Sequence, residues 1–328
     1  MINCIFLVKI EWKQFKGDNF LVLATIICAS VIFLVLAATA ISLDIATVRR
    51  KKPVNVHVQK DTVNSVDVIY KDDIERGTKW INEMPFSEHI IEAYDGTKLY
   101  GRFYKNGDSK TTILMMHGFR SNPIHDFSCA FKFYYDKGFN LLVPDQRAHG
   151  KSEGKYITYG AKERFDAKSW LYYANTLVPG GELYATGVSM GATTVLMAAE
   201  LTLPENVRGI IADCGFTSPG EIIKKVMKED MKVPLFPLYY TTKAMAKVVA
   251  GFDFDGCSAE AAVKNCKIPI LFLHGKSDSF VPFSMGEKIY DAAGGRKQAV
   301  WVEGAEHGCS FLVDHKACAD ALVGFLGI

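Results

Sequence analysis

This chain has almost no excess of either charge: 38 lysines and arginines against 36 acidic residues leave a formal net charge of +2. Without a basic patch of the kind that grips a phosphate backbone, nucleic acid is excluded as an expected partner. Paired cysteines are missing too. The eight, at Cys4, Cys28, Cys129, Cys214, Cys257, Cys266, Cys309 and Cys318, form no C-x-x-C and no zinc-type spacing, so no metal site is expected. Their neighbours are mostly apolar, which suits buried free thiols in a reducing compartment. There is no internal repeat and no low-complexity tract, and no motif calls for a cofactor. At 328 residues the chain is long enough for one large α/β domain plus an appendage.

What the chain does have, near its start, is a long uncharged run. Residues 20–43, FLVLATIICASVIFLVLAATAISL, carry no charged side chain, and roughly 20 apolar residues cross a bilayer as a helix. This predicts a transmembrane helix at 20–43 after a short tail at 1–19, and so a single-pass membrane protein whose partner is the lipid bilayer. A cleaved signal peptide is the rival, because Ala38-Thr39-Ala40 fits the small-x-small rule, yet the apolar run exceeds the usual signal core of about 7–15 residues. Lys9, Lys13 and Lys16 precede the run and Arg49, Arg50, Lys51 and Lys52 follow it, so the positive-inside rule leaves the side of the membrane open. Residues 44–84 read as a polar juxtamembrane linker with one amphipathic helix around 67–80.

From residue 85 to 328 the pattern changes to alternation of strands and helices. SEHIIEAY and KLYGRFYK, joined by Asp95-Gly96, read as a hairpin. Short apolar runs follow at TTILMMHG, FNLLVPD, ELYATGVS, VRGIIADC, IPILFLHG and KQAVWVEG. Helical segments are expected between them, at 126–137, 161–176, 190–201 and 284–293. The fold class is therefore α/β: a mostly parallel eight-stranded sheet flanked by helices and opened by an antiparallel hairpin.

The sharpest chemical signal is GVSMG, Gly187 to Gly191, between the strand ELYAT and the helical run ATTVLMAAEL. A serine on so tight a strand-turn-helix projects its hydroxyl above the sheet, and Gly187 and Gly191 let strand and helix close without Cβ clashes. Ser189 is the expected nucleophile. Its hydroxyl needs an imidazole to take its proton, and His307, in VEGAEHG after the last strand, is the choice. His117, His149 and His274 each precede a glycine at or just after a strand end and read as braces for loops. The acid orienting the imidazole should follow a strand between serine and histidine in chain order; Asp278 in HGKSDSFVP, in a short polar loop, is the choice, with Asp213, ending the strand VRGIIAD, as runner-up. For the oxyanion, the expected backbone donors are the amide of Met190, opening the helix, and that of Phe119 in the loop after the third strand.

HGFRSN, DQRAHGKS, GVSMG, HGKSDSFVP and GAEHG, in that order, resemble the α/β-hydrolase superfamily from about residue 87 to the C-terminus. Within it the chain, including its IIADCGFTSP segment, resembles bacterial membrane-anchored hydrolases described as serine-aminopeptidase-like or acylglycerol-lipase-like. That resemblance implies the α/β-hydrolase fold, a bacterial cell membrane, and a structural role for residues 145–152. The fifty or so residues between VRGIIADC and IPILFL exceed one crossover helix, so a lid is expected at about 216–266, placed to wall an acyl pocket above Ser189.

The expected activity is hydrolysis of a carboxylic ester through an acyl-enzyme, with a small-molecule acyl ester as substrate. A peptide or thioester substrate on the same triad is the alternative. A membrane-bound binding protein without turnover is the alternative of another class. The membrane helix is expected to supply location and no chemistry.

Overall fold

The computed structural model describes residues 2–50 and 69–328, with 2–19 as helical backbone only. Cys4, the flanking charges at Lys9, Lys13, Lys16, Lys51 and Lys52, and the first residues of the expected amphipathic helix lie outside the described side chains.

Eight strands make one sheet: β1 (Ser87–Glu92), β2 (Lys98–Tyr104), β3 (Thr111–Met116), β4 (Asn140–Pro144), β5 (Glu182–Val188), β6 (Val207–Asp213), β7 (Ile270–Gly275) and β8 (Lys297–Val302), in the spatial order β1-β2-β4-β3-β5-β6-β7-β8. The pairs β1–β2 and β2–β4 are antiparallel. From β4 onward every pair is parallel. Among the described residues the helices are α1 (Ile2–Thr47), α2 (Lys71–Glu83), α3 (Pro123–Asp126), α4 (Phe131–Asp136), α5 (Glu163–Leu177), α6 (Met190–Ala198), α7 (Pro219–Lys225), α8 (Leu238–Val249), α9 (Ala259–Val263), α10 (Phe283–Ala292), α11 (Ser310–Val313) and α12 (His315–Leu326), with a π turn at Val226–Asp230. The single helix expected at 126–137 is two short ones, because Asn122 caps α3 and the chain turns again before α4.

Alternate residues of each central strand feed two apolar layers, as the two-residue period of a strand requires. Leu114, Ala185, Ile210 and Phe272 face Trp170 of α5, Val195 of α6, Val263 of α9 and Ile289 of α10. Ile113, Tyr184, Ile211 and Leu271 face Ile81 of α2, Phe131 of α4 and Leu322 of α12. With both faces covered, the central strands read as unbroken apolar runs.

A third apolar cluster gathers Leu43 of α1, Tyr159, Met190, Ile222, Tyr239, Phe254 and Val281. Here the insertion at 216–266 finds its partners, and they include the end of α1. An 18-residue window within Phe20–Thr47, of mean hydropathy 3.0, has no buried residue, so this part of α1 is long and apolar enough to cross a membrane. Farther along, Thr39, Leu43 and Thr47 are buried at four-residue spacing, one stripe of a helix turned toward the domain. The hydroxyls of Thr39 and of Thr241 on α8 are 2.7 Å apart.

The stretch read as linker at 44–84 is in large part built into the domain. The Ile157 amide donates to the Thr47 carbonyl at 2.7 Å and the Arg49 amide to Lys155 at 2.9 Å. The Arg49 guanidinium donates to the carbonyls of Ser152 and Gly150 at 2.6 and 2.5 Å. On α2, Ile81 is fully buried, and Trp80 meets Phe131 and Tyr135 edge-on at 6.1 and 5.8 Å. The physical reason is local polarity with distant partners: the carbonyls at the end of α1 are met by residues 72 to 113 positions away in the chain, and the apolar face of α2 by Phe131 and Tyr135, about 50 positions away.

Candidate active site

The sharp turn between β5 and α6 places Ser189 at φ 56°, ψ −116°, a conformation that L-residues avoid. Closure is tight around it: a Cβ on Gly191 would stand 1.9 Å from the Met116 carbonyl oxygen, and one on Gly187 would stand 2.2 Å from the Gly191 carbonyl carbon. Both positions require glycine. The Ser189 amide donates to the Asp213 carbonyl at 2.8 Å, tying the turn to the end of β6.

Ser189 Oγ lies 2.8 Å from His307 Nε2, and His307 Nδ1 lies 2.7 Å from Asp278 Oδ2. Three residues separated by as many as 118 positions thus form one hydrogen-bonded chain. The other oxygen of Asp278 accepts the amides of Phe280 and Val281 at 3.0 and 2.8 Å. Burial works against ionisation of Asp278, but the imidazoles of His307 and His274 beside it hold its carboxyl well below the usual range. It is a carboxylate at neutral pH.

Asp213, the runner-up, ends β6 and accepts from the Ser310 hydroxyl at 2.8 Å instead of from the imidazole. Burial pushes its carboxyl up to about 6. His274, read as a loop brace, donates through Nε2 to the Val281 carbonyl at 3.0 Å and lies 3.4 Å from Asp278 Oδ2. A Cβ on Gly286 would meet the His274 ring at 2.4 Å, so α10 closes on this histidine only because residue 286 is glycine.

Beneath the serine, the loop after β3 is fixed from several sides. Gly118 donates its amide to Asp126 Oδ2 at 2.6 Å, and hydrogen bonding from His125 and Ser121 holds that carboxyl down to about 2 against its burial. His117 donates Nδ1–H to the Gly118 carbonyl at 2.8 Å and accepts the Gln146 amide on Nε2 at 3.0 Å. His149 donates Nδ1–H to the Arg147 carbonyl at 2.9 Å and accepts the Arg120 amide on Nε2 at 3.0 Å. Both rings work as neutral imidazoles in these bonds. Burial, reinforced by His117, lowers His149 to about 3.

Phe119 stands between Gly118 and Arg120, with its ring stacked on Tyr159 at 5.0 Å. Met190 opens α6, and the first amides of a helix have no acceptor within it. The segment at 145–152 is a brace, as its resemblance implied: Arg147 grips Asp166 and Asp95 through bonds of 2.6 to 2.8 Å. Neither Asp126, Arg120, Tyr159 nor Gly286 stands out in the sequence, because each acts on a partner that only the fold brings near.

A cavity of about 160 Å³ opens beside Ser189, lined by Phe127, Ala130, Ile211, Phe280, Phe311 and Leu312 among others. No residue of 216–266 lines it. That insertion, expected to wall this space, packs against α1 and behind Phe119 and Met190. The ligand atoms of Cys214, Asp278 and His307 all lie within 4.8 Å of one another, the spacing of a metal site. Both ring nitrogens of His307 already face Asp278 and Ser189, and burial raises the Cys214 thiol far above its ordinary range, so the trio is a poor ligand set. Cys214, Cys257, Cys266 and Cys318 carry free thiols.

Residues 111–243 match the family model of the alpha/beta hydrolase fold. The chain is 27% identical to the uncharacterized protein YqkD of Bacillus subtilis over 263 residues, 80% of this chain and 83% of that protein. It is 26% identical over 201 residues to the lysophosphatidylserine lipase ABHD12 of Danio rerio, covering 56% of this chain and 48% of that one. Among solved structures, the Pyrococcus furiosus esterase Pf2001 superposes with a TM-score of 0.64 at 22% identity, covering 86% of this chain and 97% of that one. With an eight-stranded sheet of this order and a family match across its centre, the chain has the α/β-hydrolase fold.

Proposed function

We propose that this protein is a membrane-anchored serine hydrolase that cleaves carboxylic esters through an acyl-enzyme intermediate. The observation that carries this reading is the hydrogen-bonded chain Ser189–His307–Asp278, with bonds of 2.8 and 2.7 Å. The Ser189 hydroxyl gives its proton to His307 Nε2 as Oγ attacks the acyl carbon, and the imidazolium so formed faces the Asp278 carboxylate. The oxyanion takes hydrogen bonds from the amides of Phe119 and Met190. Collapse breaks the ester bond, the alcohol leaves with the proton from Nε2, and water repeats the sequence on the acyl-enzyme to release the acid.

The cavity supports a small or medium acyl group, since its wall near Ser189 is largely apolar and its space is about 160 Å³. Esterases among the structural neighbours point the same way. The apolar exposed length of α1 supports the anchor: about 20 residues at 1.5 Å rise match a hydrocarbon core of about 30 Å.

The test is a fluorophosphonate label on the full chain, followed by esters of graded acyl length beside aminoacyl amides. Labelling at Ser189 and turnover of short and medium esters above the amides is the expected result. Labelling elsewhere, or none with a folded protein, would remove the nucleophile from the proposal.

A further inference from the structure

The end of α1 is wired to the loop that carries Phe119. Arg120 donates through Nη2 to the carbonyls of Ile45 at 2.5 Å and Val48 at 3.3 Å. Helix carbonyls at a C-terminus have no partner within the helix and present partial negative charge, so a guanidinium there is favourable. Tyr159 donates its hydroxyl to the Ala46 carbonyl at 2.7 Å. These two residues therefore cap three carbonyls where α1 ends.

The same two side chains hold Phe119. The Tyr159 ring stacks on it with 18° between planes, and the Arg120 guanidinium lies over the Phe119 ring, 4.9 Å from its centroid. Arg120 and Tyr159 also share an unusual backbone, with φ of 53° and 55°. Strain of this sort persists only where the surroundings over-determine the conformation. Arg120 Nε, moreover, is buried without a hydrogen-bond partner among the described residues, so the guanidinium is placed for its Nη2 contacts at some local cost.

We infer that Arg120 and Tyr159 are positioning residues that use the C-terminal turn of α1 as a fixed point for the Phe119 amide. The inference rests on the proposed serine-hydrolase reading and adds a role for the anchor helix within it. An oxyanion donor works only at its proper distance, and removing one costs about 10² to 10³ in kcat. Loosening one costs a part of that. With Arg120 truncated, the carbonyls of Ile45 and Val48 lose their cation, Phe119 loses one of its two supports, and the amide samples positions away from the oxyanion. The substrate ground state, which makes a weaker bond there, is held nearly as before.

The experiment uses the full-length chain in detergent micelles, a soluble p-nitrophenyl ester and an aryl boronic acid, whose tetrahedral serine adduct places an oxygen at the oxyanion site. Ser189→Ala comes first: if it turns over the ester like the parent chain, the hydrolase reading itself has failed, independently of α1. With that control inactive, Arg120→Ala should lower kcat about 10- to 100-fold with KM changed less than about threefold. Boronate affinity should fall in step with kcat/KM, and Arg120→Lys, which still donates to carbonyls, should recover part of the loss. Tyr159→Phe keeps the stacked ring and should lose a few-fold in kcat with the same pattern. An unchanged kcat in folded Arg120→Ala overturns the inference. So does a loss that appears only as fewer sites titrated by fluorophosphonate, which is what mere misfolding gives. Should Arg120→Ala not fold, Tyr159→Phe decides: parental kcat and boronate affinity overturn the inference, and the parallel loss supports it.

Discussion

Asp213 and Asp278 sit at the carboxyl edges of neighbouring strands, yet their side chains serve different partners: Asp278 accepts from His307 Nδ1 at 2.7 Å and Asp213 from the Ser310 hydroxyl at 2.8 Å. Asp278→Asn should therefore lose on the order of 10³ to 10⁴ in kcat by leaving the imidazole in the wrong tautomer. Asp213→Asn, whose amide oxygen still accepts from Ser310, should lose less than about tenfold. Ester kinetics on the two variants read the difference, and a crippled Asp213→Asn beside an active Asp278→Asn would reverse the assignment.

The buried Asp213 also sets a pH dependence of stability. Its carboxyl is raised to about 6 from 3.8 by burial, so between those values the folded chain holds a proton that the unfolded chain has lost. Folding stability then falls as pH rises through that window, and the penalty is complete above about 6. Two units correspond to about 3 kcal/mol at most. Relative to the parent, Asp213→Asn should gain stability steadily from pH 4 to 6 and keep that gain at pH 7 to 8. Denaturant melts at these pH values check it, and a difference independent of pH would contradict it.

Ser189→Ala and His307→Ala should each abolish ester turnover, on the order of 10⁶, in a folded domain, because they act as one unit. The double variant should be no worse than either single one. Turnover above background with the soluble ester, measured for all three, tests this, and a multiplicative double loss would mean that the two residues act separately.

A methyl group at residue 191 has nowhere to go, with the Met116 carbonyl oxygen 1.9 Å from its position. Gly191→Ala should cost at least about 4 kcal/mol or prevent folding. Urea melts and soluble yield measure it. Parental stability would mean that the turn relaxes freely.

Two truncations separate anchorage from positioning. Removing residues 1–35 keeps Thr39, Leu43 and Thr47 against the domain, together with the carbonyls that Arg120 and Tyr159 cap. Its kcat toward a soluble ester should stay within about twofold of the parent. Removing residues 1–50 takes those carbonyls away and should lower kcat by about tenfold or more. Equal activity of the two folded fragments would return α1 to the purely locating role that its composition suggests.

The strand-helix alternation, the Gly187–Ser189–Gly191 turn and the chain order of Ser189, Asp278 and His307 were legible in the sequence because each is local. Apolar period, turn chemistry and position after a strand are fixed by neighbours within a few residues. Chain order admits both Asp278 and Asp213 between Ser189 and His307, and only the short polar loop that carries Asp278 favoured it, since the sequence held no distance to decide. The end of α1 was different. Residues 44–50 and 71–83 look like a polar linker when read locally, since the partners of Ile45, Ala46, Thr47 and Ile81 lie at Arg120, Tyr159, Ile157 and within the α4 layer. The space expected behind the insertion shifted for the same reason: 216–266 carries enough apolar surface to cover something, but only the packed chain decides that it packs with the end of α1, Phe119 and Met190. Local chemistry determined which groups could react, and contacts spanning about a hundred residues decided what holds them in place.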